Sequence, residues 1–416
     1  MAKHAVFSSG THLWKSVGCV KSQLRLELTL ACGQSFRWRE TSEGHWTGVI
    51  GGRVWTLTQT DDTLWYHVYK NKAEQTKGCD RKRRAGISSP EENKSEKKFK
   101  GQVKEEEDEQ VAVTPVKEEE QTLRDYFQLN VNLEELHTHW GKADPHLKQI
   151  ANIFTGVRML RQDPTECLFS FICTSNNHIS RIQGMVERLC QALGSPLCQV
   201  DQTTYYDFPS LTALADSSVE ARLRDLGFGY RARFLQQSAK QILETHGLQW
   251  LKGLRSVPYP QARDALRTLP GVGTKVADCV CLMSLDKAEA VPVDTHVWQI
   301  AKRDYKFASG STQKTITDKL HRDIGEFFRN LWGPYAGWAQ SVLFCADLKK
   351  FQKMKETLSL VQPKKEEEDE EEEEEVRTKC KKTKMKTEGK ETVKHGKTKS
   401  ACCKKATKCV KNERVL

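Results

Sequence analysis

The sequence lacks the features that would place a protein in a membrane or outside the cell. No apolar run reaches the length of about 18 residues that a membrane-spanning helix needs. Residues 1–15 contain no apolar core of the kind found in secretory signals, so we expect no export. The same residues contain no Arg, which disfavours a mitochondrial presequence but leaves that compartment open.

Close cysteine pairs are also missing. The chain has 14 cysteines, and no two of them form a Cys-x-x-Cys pair. Scattered cysteines without a secretory signal are typical of reduced thiols in an intracellular protein. We therefore predict reduced cysteines, and we expect neither a metal nor an organic cofactor.

Two segments have few aromatic residues and many charges. Residues 71–120 are rich in Lys, Glu and Ser, and residues 351–416 pass from an acidic block into Lys-rich repeats. Neither can bury enough apolar surface to offset the entropy lost on ordering, so both are predicted to be disordered. Their basic clusters have two interpretations, nuclear import signals or solvated chain, and the tail can also hold DNA phosphates loosely.

The overall charge is positive. Lys and Arg total 66 against 55 for Asp and Glu, a formal net charge of +11. A polyanionic partner such as nucleic acid suits this balance, although charge also serves solubility.

Hydrophobic spacing changes along the chain. Polar and apolar residues alternate, with many aromatics, over residues 35–39, 45–49, 53–57 and 64–68, and Gly51-Gly52 provides a hairpin turn. Helical spacing follows in the part of the chain after residue 120. The sequence therefore predicts an α+β protein, in which an antiparallel sheet (residues 1–70) is followed by an all-helical body (residues 121–350). The charged insertion then lies at an edge of the sheet, where a long loop costs little.

The most informative stretch lies within the helical body. Residues 262–269 have helical spacing, Pro270 ends that helix, and a second helix begins near Thr274. Between them, Gly271 and Gly273 allow a tight turn and a close backbone approach. Their amides and the N-terminus of the second helix form an anion site that suits a DNA phosphate.

A lysine and an aspartate accompany this hairpin. Lys275 lies in the first turn of the second helix, and Asp294 follows Val-Pro-Val just before a helical run, residues 295–301. Each has a plainer interpretation, because the lysine can simply meet phosphate and the aspartate is a good helix N-cap. Together around a helix–hairpin–helix at about residues 262–285, they have the pattern of lyase-type base-excision glycosylases. Over residues 13–350, apart from the insertion, the chain resembles the 8-oxoguanine DNA glycosylase family.

The resemblance implies a chemistry. Such an enzyme flips 8-oxoguanine paired with cytosine out of duplex DNA. Lys275 would attack C1′ and displace the base, and the resulting Schiff base would permit β-elimination of the 3′ phosphate, which is apurinic/apyrimidinic lyase activity. Asp294 would stabilise the positive sugar that develops. The lysine must be neutral to attack, a state that the helix N-terminus favours and Asp294 opposes.

The resemblance also implies two sets of binding residues. The residues expected to bind the flipped base are Gly33, Cys279, Pro292, Asp294, Gln340 and Phe344. Those expected to bind the DNA are Asn176, Arg181, Tyr230, Arg231, Gly271, Gly273, His296 and Gln313. In the first set, the Gly33 carbonyl would accept N7–H of 8-oxoguanine, whereas guanine has a bare acceptor there. Phe344 and Cys279 would sandwich the base, and Gln340 would meet its Watson–Crick edge.

The second set would fill the gap left by the base. Asn176, Arg181 and Arg231 match residues that contact the orphaned cytosine, and Tyr230 matches a wedge. His178 departs from the family, in which an Asn is common at this place, so the contacts there are open.

The residues alone allow plainer interpretations for several of these positions. Gly33 can serve as a turn residue and Phe344 as core. The loop of residues 175–181 can consist of helix caps, and Arg231 can be solvated at a helix N-terminus.

The remaining expectations concern cluster, partner and location. Some helix–hairpin–helix glycosylases carry an iron–sulfur cluster on four closely spaced cysteines, but here Cys345 is followed next by Cys380, so we expect none. The expected partner is duplex DNA containing 8-oxoguanine opposite cytosine, bound by a monomer. The nucleus is the expected compartment, with the mitochondrion as an alternative. The alternative function is a non-catalytic helix–hairpin–helix module, which has no reason to place an Asp after Val-Pro-Val.

Overall fold

The computed structural model describes residues 2–70, 115–307 and 315–359. The chain separates into two units, Met1–Lys355 and Glu356–Leu416, and the site lies in the first. In the first unit an antiparallel sheet precedes a helical body, which confirms the predicted fold class. Within the described ranges no helix is both long and apolar enough to cross a membrane.

The N-terminal sheet has five antiparallel strands in the order β1-β5-β4-β3-β2. The strands are β1 (Lys15–Gly18), β2 (Arg39–Ser42), β3 (His45–Ile50), β4 (Arg53–Gln59) and β5 (Thr63–Tyr69). Gly51 and Gly52 join β3 to β4 with φ angles of 56° and 68°, which confirms the predicted turn. The side chains of Trp38, Trp55 and Tyr66 are buried in a core of their own beneath the sheet.

The strand predicted over residues 35–39 is wrong, because β2 begins only at Arg39. The preceding residues form a bend that the buried side chain of Gln34 holds to the helical body. Its Nε2 donates to the carbonyl of Arg158 at 2.8 Å, and its Oε1 accepts from the amide of Leu160 at 3.0 Å. This bend brings Gly33 to the helices.

The helical body follows the predicted order. Its helices are α2 (Pro115–Tyr126), α3 (Leu133–Ala143), α4 (Pro145–Ile153), α5 (Pro164–Ile172), α6 (Ile179–Leu193), α7 (Leu211–Ala215), α8 (Val219–Asp225), α9 (Arg231–Gln241), α10 (Trp250–Gly253), α11 (Tyr259–Leu266), α12 (Thr274–Ser284), α13 (Thr295–Arg303), α14 (Asp318–Trp332), α15 (Ala336–Asp347) and α16 (Gln352–Ser359), after a short α1 (Leu26–Thr29) in the sheet region. A hairpin of β6 (Pro196–Val200) and β7 (Thr203–Tyr206), which the sequence did not predict, interrupts them.

Two predicted boundaries move. Helix α2 begins at Pro115, so the predicted end of the insertion at residue 120 falls inside a helix. Helix α16 occupies part of the segment that was predicted to be disordered from residue 351. The disorder predicted for the rest of the insertion and tail concerns residues outside the described ranges.

The helix–hairpin–helix is confirmed, with its first helix earlier than predicted. Helix α11 ends at Leu266, not at residue 269, and a turn leads to Gly271, whose φ is +78°. A Cβ on Gly271 would lie 2.6 Å from the ring of Phe234, so the hairpin packs closely against α9. A buried network anchors the second helix, α12, because Asp278 accepts from Tyr259 Oη at 2.8 Å and pairs with His321 Nε2 at 2.7 Å.

Candidate active site

Lys275 projects from the first turn of α12 and is half-buried. Its Nζ donates to Thr174 Oγ1 at 3.5 Å and lies 5.1 Å from the centre of the Phe171 ring. Both of these contacts are uncharged, one a hydroxyl oxygen and the other the face of an aromatic ring.

Asp294 lies at the start of α13. Its Oδ1 accepts from the amide of Val297 at 3.0 Å, so the N-cap interpretation is confirmed. The same side chain also lines a cavity together with Lys275. Among the described residues, no ion pair joins the two. The carboxylate is therefore fixed beside the amine without neutralising it by direct contact.

The cavity between these two residues brings together all six residues predicted to bind the base. They are Gly33, Cys279, Pro292, Asp294, Gln340 and Phe344. Its volume is about 50 Å³, room for a few water molecules.

The two walls differ in chemistry. Cys279 lies one helical turn after Lys275, and burial raises the pKa of its thiol to about 11, so it offers a neutral surface for stacking. The opposite wall comes from α15, where Gln340 is buried and Phe344 is half-buried. Gly33, with φ +83°, closes a third side with its backbone. A planar ring with a polar edge fits this combination.

Outside the cavity lies a groove of about 1360 Å³. Three of the residues that were predicted to bind DNA line this groove: Asn176, Gly273 and His296. Lys349 and Lys350 also line it, and the sequence reasoning missed them. Two adjacent lysines at the end of the helical body could have indicated a basic groove. Because such pairs are common in the neighbouring Lys-rich tail, they did not stand out in the sequence.

The predicted wedge and cytosine reader lie against the loop that follows α5. Arg231 is only 5% exposed, and its guanidinium donates to the carbonyls of Ser175 and Asn176. The interpretation of Arg231 as a solvated residue is therefore wrong. Tyr230 is 51% exposed, and its hydroxyl donates to Ser175 O at 3.3 Å. Together they support a loop in which Asn176 adopts a φ of +48°.

The remaining predicted DNA-binding residues are less uniform in position. Arg181 is exposed near the start of α6. Its backbone amide donates at 3.4 Å to Nδ1 of His178, the N-cap residue of that helix. Gly271 packs against Phe234 and is not among the residues that line the groove. Gln313 lies outside the described residues.

His296 connects the groove to the cavity. Its ring meets Phe344 edge-on, with centroids 5.8 Å apart. Its Nδ1 lies 3.1 Å from Asp347 Oδ2, and Asp347 also pairs with Arg303. A negative group thus supports His296 from behind, while the imidazole remains half-exposed to the groove.

Comparisons with known proteins identify the relatives of this chain. Residues 16–168 match the N-terminal domain of 8-oxoguanine DNA glycosylase, and residues 169–325 match the HhH-GPD superfamily of base excision DNA repair proteins. The N-glycosylase/DNA lyase OGG1 of Arabidopsis thaliana is 36% identical over 361 residues, 86% of each chain. The N-glycosylase/DNA lyase of Saccharomyces cerevisiae is 35% identical over 277 residues, 58% of this chain and 73% of its own.

A solved structure has the same fold. The 8-oxoguanine glycosylase/lyase of Clostridium acetobutylicum, in complex with double-stranded DNA containing cytosine opposite 8-oxoguanine, matches with a TM-score of 0.58 and 25% identity. The match covers 78% of this chain and 91% of that one. Fold and site thus define a helix–hairpin–helix protein of base-excision DNA repair. Within that class, the chain belongs to the 8-oxoguanine DNA glycosylase family.

Proposed function

We propose that this DNA glycosylase and apurinic/apyrimidinic lyase excises 8-oxoguanine paired with cytosine, with Lys275 as the nucleophile. One observation carries the proposal: Lys275 and Asp294 face the same narrow cavity as every residue predicted to bind the base. A non-catalytic hairpin module has no use for that convergence. The groove outside the cavity supplies the place for the duplex.

The first step joins enzyme and sugar. Neutral Lys275 Nζ attacks C1′, the bond from C1′ to N9 breaks, and the base leaves with the bonding electrons and takes up a proton. The attached nitrogen gives up one proton, its lone pair breaks the C1′–O4′ bond, and O4′ takes up a proton, which leaves a protonated imine on the opened sugar. Loss of a proton from C2′ then breaks the C3′–O bond and expels the 3′ phosphate with the bonding electrons, which is the lyase step.

Asp294 acts through its charge. The Oδ1 atom is held by the Val297 amide, so the carboxylate keeps one orientation toward the cavity. Positive charge that develops on the sugar is stabilised by this fixed anion without rearrangement. The absence of a direct ion pair with Lys275, within the described ranges, leaves the carboxylate free for the sugar.

Selection of the base rests on Gly33 and its neighbours. Both the nitrogen and the oxygen of the Gln34 side-chain amide form hydrogen bonds to backbone groups. These bonds fix the backbone at the neighbouring Gly33. A fixed carbonyl acceptor there would accept N7–H of 8-oxoguanine and oppose the lone pair of guanine. An acceptor that cannot turn away discriminates more strongly than a mobile one.

Selection of cytosine rests on the loop around Asn176. Arg231 holds that loop through two backbone carbonyls, and its Nε has no partner among the described residues. Guanidinium donors match the O2 and N3 acceptors of cytosine. We therefore propose that, when DNA binds, Arg231 releases the two backbone carbonyls and donates to cytosine instead.

Four duplexes that place A, C, G or T opposite 8-oxoguanine test this proposal. We expect the unmodified protein to release the base fastest opposite cytosine. In Arg231→Ala, the ratio of the release rate opposite cytosine to the rates opposite the other bases should fall by a larger factor than the affinity for duplex DNA. Arg233→Ala, two positions further along the same helix, is the matched control and should keep the preference. Equal losses opposite all four bases would assign Arg231 a structural role only.

We propose the nucleus as the working compartment and a monomer as the working form. Duplex DNA as partner and the basic clusters around residues 81–84 and 379–382 support the first. A fluorescent fusion lacking residues 362–416 should leave the nucleus if the second cluster is an import signal. Sedimentation of the full chain at micromolar concentration should give one species near its mass of 47.5 kDa.

A further inference from the structure

An acidic side chain lies in the groove outside the base cavity. Asp318, the first residue of α14, lines this groove beside Gly273 and Thr274 of the helix–hairpin–helix. Its side chain is 71% exposed, so a molecule bound in the groove meets the carboxylate. A carboxylate and a DNA phosphate repel each other at close range. Asp318 therefore opposes the binding of a duplex as long as it keeps this position.

Both oxygens of this carboxylate accept hydrogen bonds from the hairpin. Thr274 Oγ1 donates to Oδ1 at 2.8 Å, and Arg267 Nη2 donates to Oδ2 at 3.0 Å. Arg267 directly follows α11 and Thr274 begins α12, so the two donors come from the two sides of the hairpin turn. A hydroxyl and a guanidinium are also the groups that bind phosphate oxygens. Asp318 thus occupies donors that suit a phosphate.

The ion pair between Arg267 and Asp318 is weak enough to be exchanged. The Arg267 side chain is 37% exposed and that of Asp318 more so, and exposed ion pairs contribute little because water and salt screen them. A second carboxylate, that of Asp264 on α11, lies 3.9 Å from the same guanidinium but does not line the groove. Arg267 therefore keeps an anionic neighbour when Asp318 moves away.

We propose that Arg267 and Thr274 bind a backbone phosphate of duplex DNA, and that Asp318 is the internal counter-ion which this phosphate displaces. The inference rests on the proposed function, because it adds two ligands to the hairpin site at Gly273. A phosphate that replaces the carboxylate keeps a charge-assisted hydrogen bond to Arg267 and releases counterions from the DNA. Backbone contacts carry no sequence information, so Asp318 weakens the binding of damaged and undamaged duplexes by the same factor.

The variant Asp318→Asn tests the counter-ion, because it keeps the size of the side chain and removes the charge. Fluorescence anisotropy with the full-length protein gives the dissociation constants for an undamaged duplex and for one containing 8-oxoguanine. We expect the variant to bind both about two- to fivefold more tightly. Asp264→Asn is the matched control, since it removes a charge beside Arg267 outside the groove, and it should change neither constant appreciably.

Two results would overturn the counter-ion. One is an Asp318→Asn protein that binds no more tightly than the unmodified protein. The other is equal tightening in Asp264→Asn, because net charge alone would then account for the effect. Tightening on the damaged duplex only would overturn a backbone phosphate as the displacing group.

The variant Arg267→Gln, made alone and together with Asp318→Asn, tests the phosphate contact. If Arg267 binds phosphate, its loss should weaken duplex binding about three- to tenfold even in the double variant. The slope of the logarithm of affinity against the logarithm of salt concentration should also become shallower by about one. Lys252→Gln, an exposed lysine on α10 outside the groove, is the control and should keep the slope.

A second role for Arg267 predicts a different result. If Arg267 only neutralises Asp318, its loss has no effect once Asp318→Asn is present, and that result would overturn the phosphate contact. These measurements concern binding alone and do not depend on Lys275 or on the base that is excised. An unmodified protein that binds no duplex would overturn the proposed function as well, whereas normal binding with unresponsive variants would overturn this inference only.

Discussion

Substitution of each of the two hairpin glycines by Ala should affect a different property, stability at Gly271 and DNA affinity at Gly273. Gly271 has a φ of +78°, and a Cβ there would lie 2.6 Å from the Phe234 ring and 2.8 Å from its Cβ. The nearby Cβ belongs to the start of the side chain, so rotation of the ring cannot relieve the clash. Gly273 has a φ of −87°, and a Cβ there meets nothing within 4 Å.

The magnitude follows from those contacts. Placing Ala in the left-handed region costs about 1–3 kcal/mol, and overpacking costs typically a further 1–3 kcal/mol or so. Gly271→Ala should therefore lower the free energy of unfolding by about 2–6 kcal/mol and Tm by at least about 4 °C. Gly273→Ala, at a helix N-cap, should cost under about 1 kcal/mol. Its methyl group would instead stand in the anion site, and duplex affinity should fall by about tenfold.

Thermal melting followed by circular dichroism, together with fluorescence anisotropy on a labelled duplex, measures both quantities. The expected pattern is a large loss of stability at one glycine and a loss of affinity without loss of stability at the other. A Gly271→Ala protein that melts with the unmodified protein would refute the packing argument. A Gly273→Ala protein that binds DNA normally would refute the anion site.

Three further changes test separate parts of the site. Gly33→Ala, strained at φ +83° and 3.1 Å from Ile179 Cδ1, should lower excision of 8-oxoguanine in a steady-state assay while the sheet still folds. Asp278→Ala leaves two buried donors without their acceptor, one of them on His321, and should lower stability by about 2–5 kcal/mol in a denaturant melt. Asp294→Asn should slow base release in single-turnover kinetics yet still allow a trapped adduct, because the amine remains.

Local patterns in the sequence predicted the parts of the fold that depend on neighbours in the chain. Gly51 and Gly52 predicted their turn, and Asp294 caps its helix as such residues commonly do. Spacing of four residues placed Gln340 and Phe344 on one face of α15, and both line the cavity.

Contacts between distant segments account for what was missed. The bend at Gly33 replaced a predicted strand because Gln34 bonds to a segment more than a hundred residues away. Burial of Arg231, at the start of α9, against the carbonyl of Ser175 in the loop after α5 is likewise a contact between distant segments. Alternation and helical spacing carry no information about such pairs. The site residues came from the resemblance to a family, not from the spacing.

The central claim is that Lys275 forms a covalent imine with the DNA sugar, and borohydride trapping measures it directly. Borohydride reduces an imine to a stable amine, so protein and oxidised duplex should migrate as one band on a denaturing gel. Lys275→Gln should bind the duplex yet give no adduct, no base release and no nick. Lys349→Gln, a groove lysine outside the cavity, should still be trapped. A Lys275→Gln protein that releases 8-oxoguanine at the normal rate would contradict the account, since water activated by Asp294 would then be the nucleophile.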